Sequence, residues 1–352
     1  MKSETFHLEL ITPCFCGGAE PDQQAEIRAP SIRGQLRWWF RSLGGFKSLA
    51  PIPVPKQESL LFGSTAGAEG QAGKLIVRVK PPINRKLTDS IDHPTPNMSD
   101  PEGYLLFPLR QKGRKKTALP TFSLTILWGG EARLWPDILA LAAVFGHLGA
   151  LGFRSRRAMG ALAFQNDPPE LASALHRFAA HSSVFLKQLN APAPMSRQQC
   201  IPALANWLKS CRAHGRSGQN DKEKQSSFFR FAETDHDIGY KMPGTQAKAA
   251  FRPALGLPII QRNQKGTNNW EWDWNQQRHK AQGRFASPVL LRPHRDAQGR
   301  WHALVIFMDA HKWPNDPATG QPKEVFLNGQ PRKVSLDLYQ EMKKDPNLVN
   351  FP

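Results

Sequence analysis

Polar and apolar residues alternate along Phe6–Ile11, Lys74–Lys80 and Thr121–Leu127, the two-residue period of a strand with one buried face. Between the first two runs, Ile32, Leu36, Trp39, Phe40 and Leu43 recur at steps of three and four. That spacing predicts a helix over 31–43, with Pro30 and Ser31 as its entry signal, the serine hydroxyl accepting from a first-turn amide. Pro136 opens a second helix reaching Leu148, apolar nearly all round and so expected to be buried, with Gly149 as its stop. A short strand follows at Ala161–Gln165. The order strand, helix, strand, strand, helix, strand is the ferredoxin-like plan, a four-stranded antiparallel sheet with two helices on one face. Residues 81–118, rich in Pro, Asn, Asp and Lys, are too long and polar for a tight turn and are expected to be an insertion or mobile lobe.

Beyond Pro168, helices are expected over 169–189 and 197–213, and strands at Leu257–Gln261, Pro288–Arg292 and His302–Met308. A last amphipathic helix is expected near Ser335–Lys344, while residues 214–225, polar and free of aromatics, are expected to be mobile. A chain of 352 residues exceeds what one core usually serves. The expected fold class is α+β, two tandem ferredoxin-like (RRM-like) domains with helical and loop insertions. The first spans 1–166, with its insertion at 81–118; the second spans 167–352, with a helical insertion at 168–232.

Charge narrows the function. Lys and Arg total 47 against 29 Asp and Glu, a net charge of +18. Residues 1–165 carry 21 basic and 13 acidic side chains and residues 166–352 carry 26 and 16, so the excess runs the length of the chain. This fits a polyanion contacted over an extended surface, of which nucleic acid is the commonest. The chain has no stretch of about 18 apolar residues and no lipidation motif, which argues against a membrane partner. Met1–Leu10 lacks the apolar region of a signal peptide, so a cytoplasmic protein is expected. Cys14 and Cys16 have a spacing that zinc sites seldom use, and Cys200 and Cys211 form no second knuckle. No metal site and no cofactor are expected, and the thiols read as buried or incidental.

Two segments concentrate the basic residues. Arg33, Arg37 and Arg41 recur at steps of four on a face of the first helix distinct from the apolar stripe. Ala29 and Gly45 flank them on that face, so no carboxylate at helical spacing neutralises them, and the helix N-terminus at Ser31 offers amides to an anion. The bland alternative is a solvated basic face. The second segment is Gly149-Ala-Leu-Gly-Phe-Arg-Ser-Arg-Arg-Ala-Met-Gly160. Its glycines permit close backbone approach, and Arg154, Arg156 and Arg157 supply forked donors for phosphate. It is no Walker motif, since no Gly-Lys-Ser follows, and no dinucleotide fingerprint, since it leaves a helix rather than entering one.

The combination Ile11-Thr-Pro13, Gly17-Gly18, Ile27-Arg28, Pro30-Ser-Ile-Arg-Gly34, Leu36-Arg37 and Arg154-Ser-Arg-Arg157 resembles the RAMP superfamily of CRISPR-associated proteins. Within it, the chain is most similar to the family of first Cmr subunits of type III-B effector complexes. Ala254-Leu-Gly-Leu-Pro258 and Arg284-Phe-Ala-Ser-Pro288 are similar to further signatures of that family, so the resemblance reaches both halves. It implies two RAMP domains in tandem and a place at the head of a multi-subunit complex serving antiviral defence. There the subunit would hold the 3′ region of a guide RNA and its complementary target RNA beside other Cmr-complex RAMP subunits. The expected RNA-binding residues are Ser31, Arg33, Arg37, Arg41, Arg154, Ser155, Arg156 and Arg157, with Lys241, Lys248, Arg252 and Arg284 continuing the path. The chain departs from the family's glycine-rich loop at Ala150 and Ala158, where glycine is usual.

Some RAMP relatives cleave RNA with a histidine or a loop aspartate, and such cleavage needs groups within reach of the 2′-hydroxyl and the leaving oxygen. Asp22, between the first strand and first helix, is the one catalytic candidate, although in Glu20-Pro-Asp-Gln23 it also reads as a solvated loop acid. His7, on an alternating strand, and His147, at the end of a buried helix, read as structural. Asp235, His236 and Asp237 are consecutive and do not converge on one atom without an unusual turn. Trp270, Trp272 and Trp274 alternate on one strand face and either stack bases or pack a core. The expectation is a non-catalytic RNA-binding subunit; the alternative is a RAMP ribonuclease that processes guide RNA or cuts target RNA.

Overall fold

The computed structural model describes residues 1–18, 20, 23–65, 70–94, 97, 100–112, 116–166, 168–212, 231, 235, 250–257, 259–262, 269–273, 285–327 and 330–352. The chain divides into two compact units, one of residues 1–185, 191–204 and 291–304, the other of 186–190, 205–290 and 305–352.

The first unit begins with β1 (Lys2–Leu10), followed by α1 (Ala29–Ser42) and α2 (Val54–Phe62). A two-residue pair, β2 (Gly63–Ser64) with β3 (Gln71–Ala72), leads to β4 (Leu75–Lys80). After β5 (Ser90–Asp92), α3 (Pro101–Lys112) and β6 (Lys116–Ala118) come β7 (Thr121–Trp128), α4 (Trp135–Leu148) and β8 (Leu162–Phe164). The main sheet has the order β4-β7-β1-β8, with every pair antiparallel. In β7 the expected alternation holds residue by residue, turning Phe122, Leu124, Ile126 and Trp128 into the core. The α1 stripe buries Ile32, Leu36, Trp39 and Phe40, and α4 is buried continuously from Ala140 to Leu148. Burying a side chain such as Leu36 contributes about 1.5–3 kcal/mol, so these two helices stay on the sheet through their apolar faces rather than through helix propensity.

Residues 81–118, expected to be an insertion or mobile lobe, lie between β4 and β7 and carry elements of their own: β5 pairs with β6, and the helix α3 falls between them along the chain. An apolar trio, Leu105, Leu106 and Leu109, is buried within this polar stretch. One expectation for this unit needs correction: the helix expected over 169–189 is wrong in its second half. Only α5 (Leu171–His176) is helical there, and β9 (Val184–Leu189) follows a single 3-10 turn. The strand forms because its partner, β16 (Leu348–Asn350), arrives from the far end of the chain, with Leu189 opposite Leu348. Tertiary pairing overrides local helix preference.

A second sheet has the order β12-β13-β9-β16, in which β12 is Val289–Arg295 and β13 is Trp301–Met308. Along the chain its elements run β9, α6 (Arg197–Cys211), β12, β13, α7 (Asp337–Lys343), β16, the same strand-helix-strand-strand-helix-strand order as the first sheet, with the same spatial order of strands. Ala303–Met308 of β13 are buried at every position, so that strand reads as a continuous apolar run. A third sheet, β10 (Ile259–Arg262), β11 (Asn269–Asp273), β14 (Val325–Leu327) and β15 (Gln330–Arg332), adjoins a cluster of Ala250, Ala254, Leu257, Trp313 and Val334 in the second unit.

Candidate nucleic-acid interface

The basic helix starts earlier than its entry signal suggests. Arg28 occupies the N-cap in an extended conformation, and Pro30 sits in the first turn, where its missing N–H and fixed φ cost nothing. Ser31 is therefore inside the helix and exposed, and it caps nothing. The amides of Ser31 and Ile32 both donate to the Arg28 carbonyl, at 3.0 and 3.2 Å, so they are not the anion-binding amides expected of them.

The arginine face also gains a carboxylate that helical spacing could not reveal. Glu58, on α2, accepts from Arg37 Nε at 2.8 Å and Nη2 at 2.5 Å, and its second oxygen lies 3.5 Å from Arg41 Nε. Arg33 donates to the Phe62 carbonyl, and the guanidinium carbons of Arg33 and Arg37 lie 5.9 and 5.8 Å from the Phe62 ring centre. Glu58 is 10 % exposed in its side chain, whereas Arg37 is 38 % and Arg41 56 % exposed. One buried carboxylate thus aligns two outward guanidiniums without covering them. The signal for α2 was Pro53-Val-Pro55 followed by a run without glycine, an entry like that of α1.

The loop at 149–160 is built by close backbone approach. Gly152 has φ +78° and Gly160 has φ +65°, and a Cβ on Gly160 would meet the Leu151 carbonyl oxygen at 1.9 Å. Leu151 N–H donates to the Gly160 carbonyl, which closes the loop on itself. Arg154 and Ala158 also take left-handed conformations, at φ +63° and +69°, so the alanine at the family's glycine position 158 bears the strain a glycine would avoid. Leu291 of β12 supports the far side: Ala158 N–H donates to its carbonyl at 2.9 Å, and its own N–H donates to the Arg156 carbonyl at 3.2 Å. Next to it, Arg292 is fully buried and donates from Nη1 to the Gly149 carbonyl at 2.8 Å, from Nε to the Pro293 carbonyl at 3.1 Å and from Nη2 to the Leu162 carbonyl. Burial brings the Arg292 guanidinium down to about 9.

The three loop arginines do different things. Arg154 Nε donates to the Leu105 carbonyl of α3 at 2.5 Å. Arg157 is buried and donates from Nη1 to the Arg156 carbonyl at 3.1 Å. Arg156 lies over the Trp38 ring of α1, 4.9 Å from its centre, and burial lowers its guanidinium to about 10. That contact joins the basic helix and the arginine loop, the two segments that composition singled out. Ser155 between them is half-buried. Helical spacing does not single out Trp38, because Trp39 beside it fits the core stripe and Trp38 does not.

Of the remaining RNA-binding candidates, Arg252 is among the described residues. Arg252 is buried in the second unit with Nε 3.9 Å from Asp235, whose carboxylate also accepts the amides of Phe251 and Arg252. Burial pushes the Asp235 carboxyl up to about 6. Asp235 thus anchors the backbone at 251–252. Asp22, Lys241, Lys248, Arg284, His236, Asp237 and Trp274 lie outside the described residues, as do residues 214–225; Trp270 and Trp272 fall on β11. His7 Nδ1 lies 3.1 Å from Ser123 Oγ on an exposed strand face, and His147 Nε2 lies 2.6 Å from the Pro169 carbonyl, with burial lowering that imidazole to about 4. Among the described residues no helix is long and apolar enough to cross a membrane.

Comparison with known proteins agrees with the loop and helix motifs. The RAMP superfamily model matches residues 7–163. The chain is 30% identical over 193 residues to the CRISPR system Cmr subunit Cmr1-2 of Pyrococcus furiosus, a match that covers 47% of this chain and 96% of that protein. It is 28% identical over 169 residues to Cmr subunit Cmr1-1 of the same organism, covering 46% of this chain and 47% of that one. The crystal structure of Cmr1 from Pyrococcus furiosus in its apo form shares the fold, with a TM-score of 0.56 at 16% identity over 99% of this chain and 98% of that chain. The chain belongs to the RAMP superfamily and, within it, to the Cmr1 family.

Proposed function

We propose that this chain is a non-catalytic RNA-binding subunit of a cytoplasmic type III-B Cmr complex, built of two tandem ferredoxin-like RAMP domains. It holds the 3′ region of a guide RNA with its complementary target, beside the other RAMP subunits. The repeated element order and strand order of the two main sheets supports the tandem reading. The observation that carries RNA binding is Arg156 seated on Trp38, which joins the arginine loop to the helix that bears Arg33, Arg37 and Arg41. Guanidiniums aligned by one carboxylate and by ring faces are pre-organised for phosphate, and they contact backbone rather than bases.

Binding should accordingly depend weakly on RNA sequence and steeply on salt. The test is fluorescence anisotropy of the purified chain with labelled single-stranded RNA between about 50 and 200 mM salt. A flat affinity over that range refutes the reading. Incubation with labelled guide precursor and with guide-paired target tests the non-catalytic part: both RNAs should remain intact. Cleavage that disappears in Asp22→Asn would instead make the chain a RAMP ribonuclease. Charge reversal at Arg154 and Arg156, which unlike Arg157 are not buried, should abolish RNA affinity; loss of complex assembly with RNA affinity intact would make the basic loop a protein-binding surface.

A further inference from the structure

The backbone partner of the arginine loop carries two thiols for which RNA binding has no use. Phe153 N–H donates to the Phe15 carbonyl at 2.9 Å, Gly160 N–H donates to the Pro13 carbonyl at 2.8 Å, and Phe15 and Phe153 form an antiparallel bridge. Phe15 and Gly17 each form an isolated bridge, and the side chains of Cys14 and Cys16 meet on one side of this segment. Their sulfurs lie 3.4 Å apart, and Cys14 Sγ is also 3.5 Å from the Leu151 carbonyl oxygen at the start of the loop. Cys14 is buried and Cys16 half-buried, so a reagent meets Cys16 first. The hydrogen bond that Cys14 donates to Cys16 lowers the Cys16 thiol from its ordinary value and raises that of Cys14. This is the asymmetry of an attacking and a resolving thiol. The other cysteines form no such pair: Cys200 and Cys211 are buried singly, and burial raises both, Cys200 to about 11.

We propose that Cys14 and Cys16 are an oxidisable dithiol whose closure to an intramolecular disulfide resets the arginine loop packed on them. The oxidant is a small-molecule disulfide. The Cys16 thiolate attacks one of its sulfurs, forming a mixed disulfide and releasing one thiolate. Cys14 then gives up its proton, attacks the Cys16 sulfur and expels the second thiolate. Two protein thiols are thereby oxidised to one disulfide, and the oxidant is reduced to two thiols. Closing the sulfurs to a bond of about 2.05 Å draws Cys14 Sγ off the Leu151 carbonyl and tilts the Pro13 and Phe15 carbonyls that hold Gly160 and Phe153. A disulfide across a single intervening residue is strained, which keeps it reducible and the change reversible. The consequence for RNA rests on the function proposed above; the dithiol and its effect on the loop do not.

The full chain is equilibrated with mixtures of oxidised and reduced glutathione, alkylated and digested with trypsin. The peptide Ser3–Arg28 contains Cys14 and Cys16 and no other cysteine. It should become lighter by two hydrogens and refuse alkylation, at a rate at least about tenfold above that at which Cys200 or Cys211 is modified. A glutathione adduct that persists on Cys16, or two free thiols in this peptide after Cys200 and Cys211 have reacted, overturns the proposal. Amide hydrogen exchange at Phe153 and Gly160 should quicken by about tenfold in the oxidised chain, return with reductant, and stay insensitive to oxidant in Cys14→Ser and in Cys16→Ser. Unchanged exchange in a chain shown to carry the disulfide overturns the coupling to the loop. Affinity for single-stranded RNA should fall on oxidation and recover on reduction. If the reduced chain binds no RNA, the proposed function fails while the peptide and exchange results still decide the dithiol.

Discussion

Replacing Glu58 with glutamine isolates the electrostatics of the basic face. Glu58 accepts two hydrogen bonds from Arg37, at 2.8 and 2.5 Å, and lies 3.5 Å from Arg41. At an effective dielectric of about 20, each pair at such distances is worth about 4 kcal/mol before desolvation and solvent screening. Arg37 and Arg41 are 38 % and 56 % exposed in their side chains, which brings each contribution down to about 1 kcal/mol or less. Glutamine keeps the shape and one acceptor, so Glu58→Gln should cost about 1 kcal/mol of stability and leave the fold intact. The same change releases one net positive charge toward a bound phosphate. Affinity for single-stranded RNA should rise by about fivefold near 0.1 M salt, and the log–log salt dependence should steepen by about 0.7, the increment for one further phosphate contact. Anisotropy titrations at several salt concentrations, with far-UV circular dichroism as the folding control, measure both quantities. A folded variant with unchanged affinity and unchanged salt slope would remove Arg37 and Arg41 from the RNA path.

The buried guanidinium of Arg292 holds the Gly149, Leu162 and Pro293 carbonyls, so Arg292→Met should cost about 3 kcal/mol by leaving acceptors unpaired; a loss below about 1 kcal/mol in denaturant unfolding would mean water replaces those bonds. His147 titrates near 4 in the fold and near the ordinary 6.5 when unfolded, so below pH 6.5 the unfolded chain takes up the proton first and stability falls, levelling off below about pH 4. The amount is about 2 kcal/mol between pH 7 and pH 5, read as the change in the stability difference between wild type and His147→Gln. His294 is lowered by burial and acts in the same sense, whereas Asp235, raised to about 6, stabilises the fold as pH falls through 6, which is why the difference rather than the wild-type curve is diagnostic. An unchanged difference over that range would mean that His147 is protonated in the fold.

How far the sequence reaches differs from element to element. β7 was legible because Thr121–Trp128 sends alternate side chains to one core, and α1 because Ile32, Leu36, Trp39 and Phe40 form a stripe that only a helix buries. α4 was legible as an apolar run between Pro136 and Gly149. β9 was not, since nothing within Val184–Leu189 announces the strand that pairs with it from residues 348–350. The arginines at 33, 37, 41, 154, 156 and 157 were visible as residues, but their employment was not. Arg37 meets a carboxylate 21 positions away, and the loop at 149–160 is propped by an arginine 143 positions from Gly149.

The sequence by itself determined the α+β class, the period of each element, the basic character of the whole chain and the family motifs. Each of these is carried by spacing within a turn, a pleat or a short loop, and a period of 2 or 3.6 needs no knowledge of the rest of the chain. Only the tertiary structure decided which arginines face outward, which carboxylate orders them, that Arg156 rests on Trp38, and that Cys14 and Cys16 meet against the loop. Those outcomes depend on distances between distant segments, where burial strengthens or suppresses a charge and a few ångströms separate an ion pair from a solvated one.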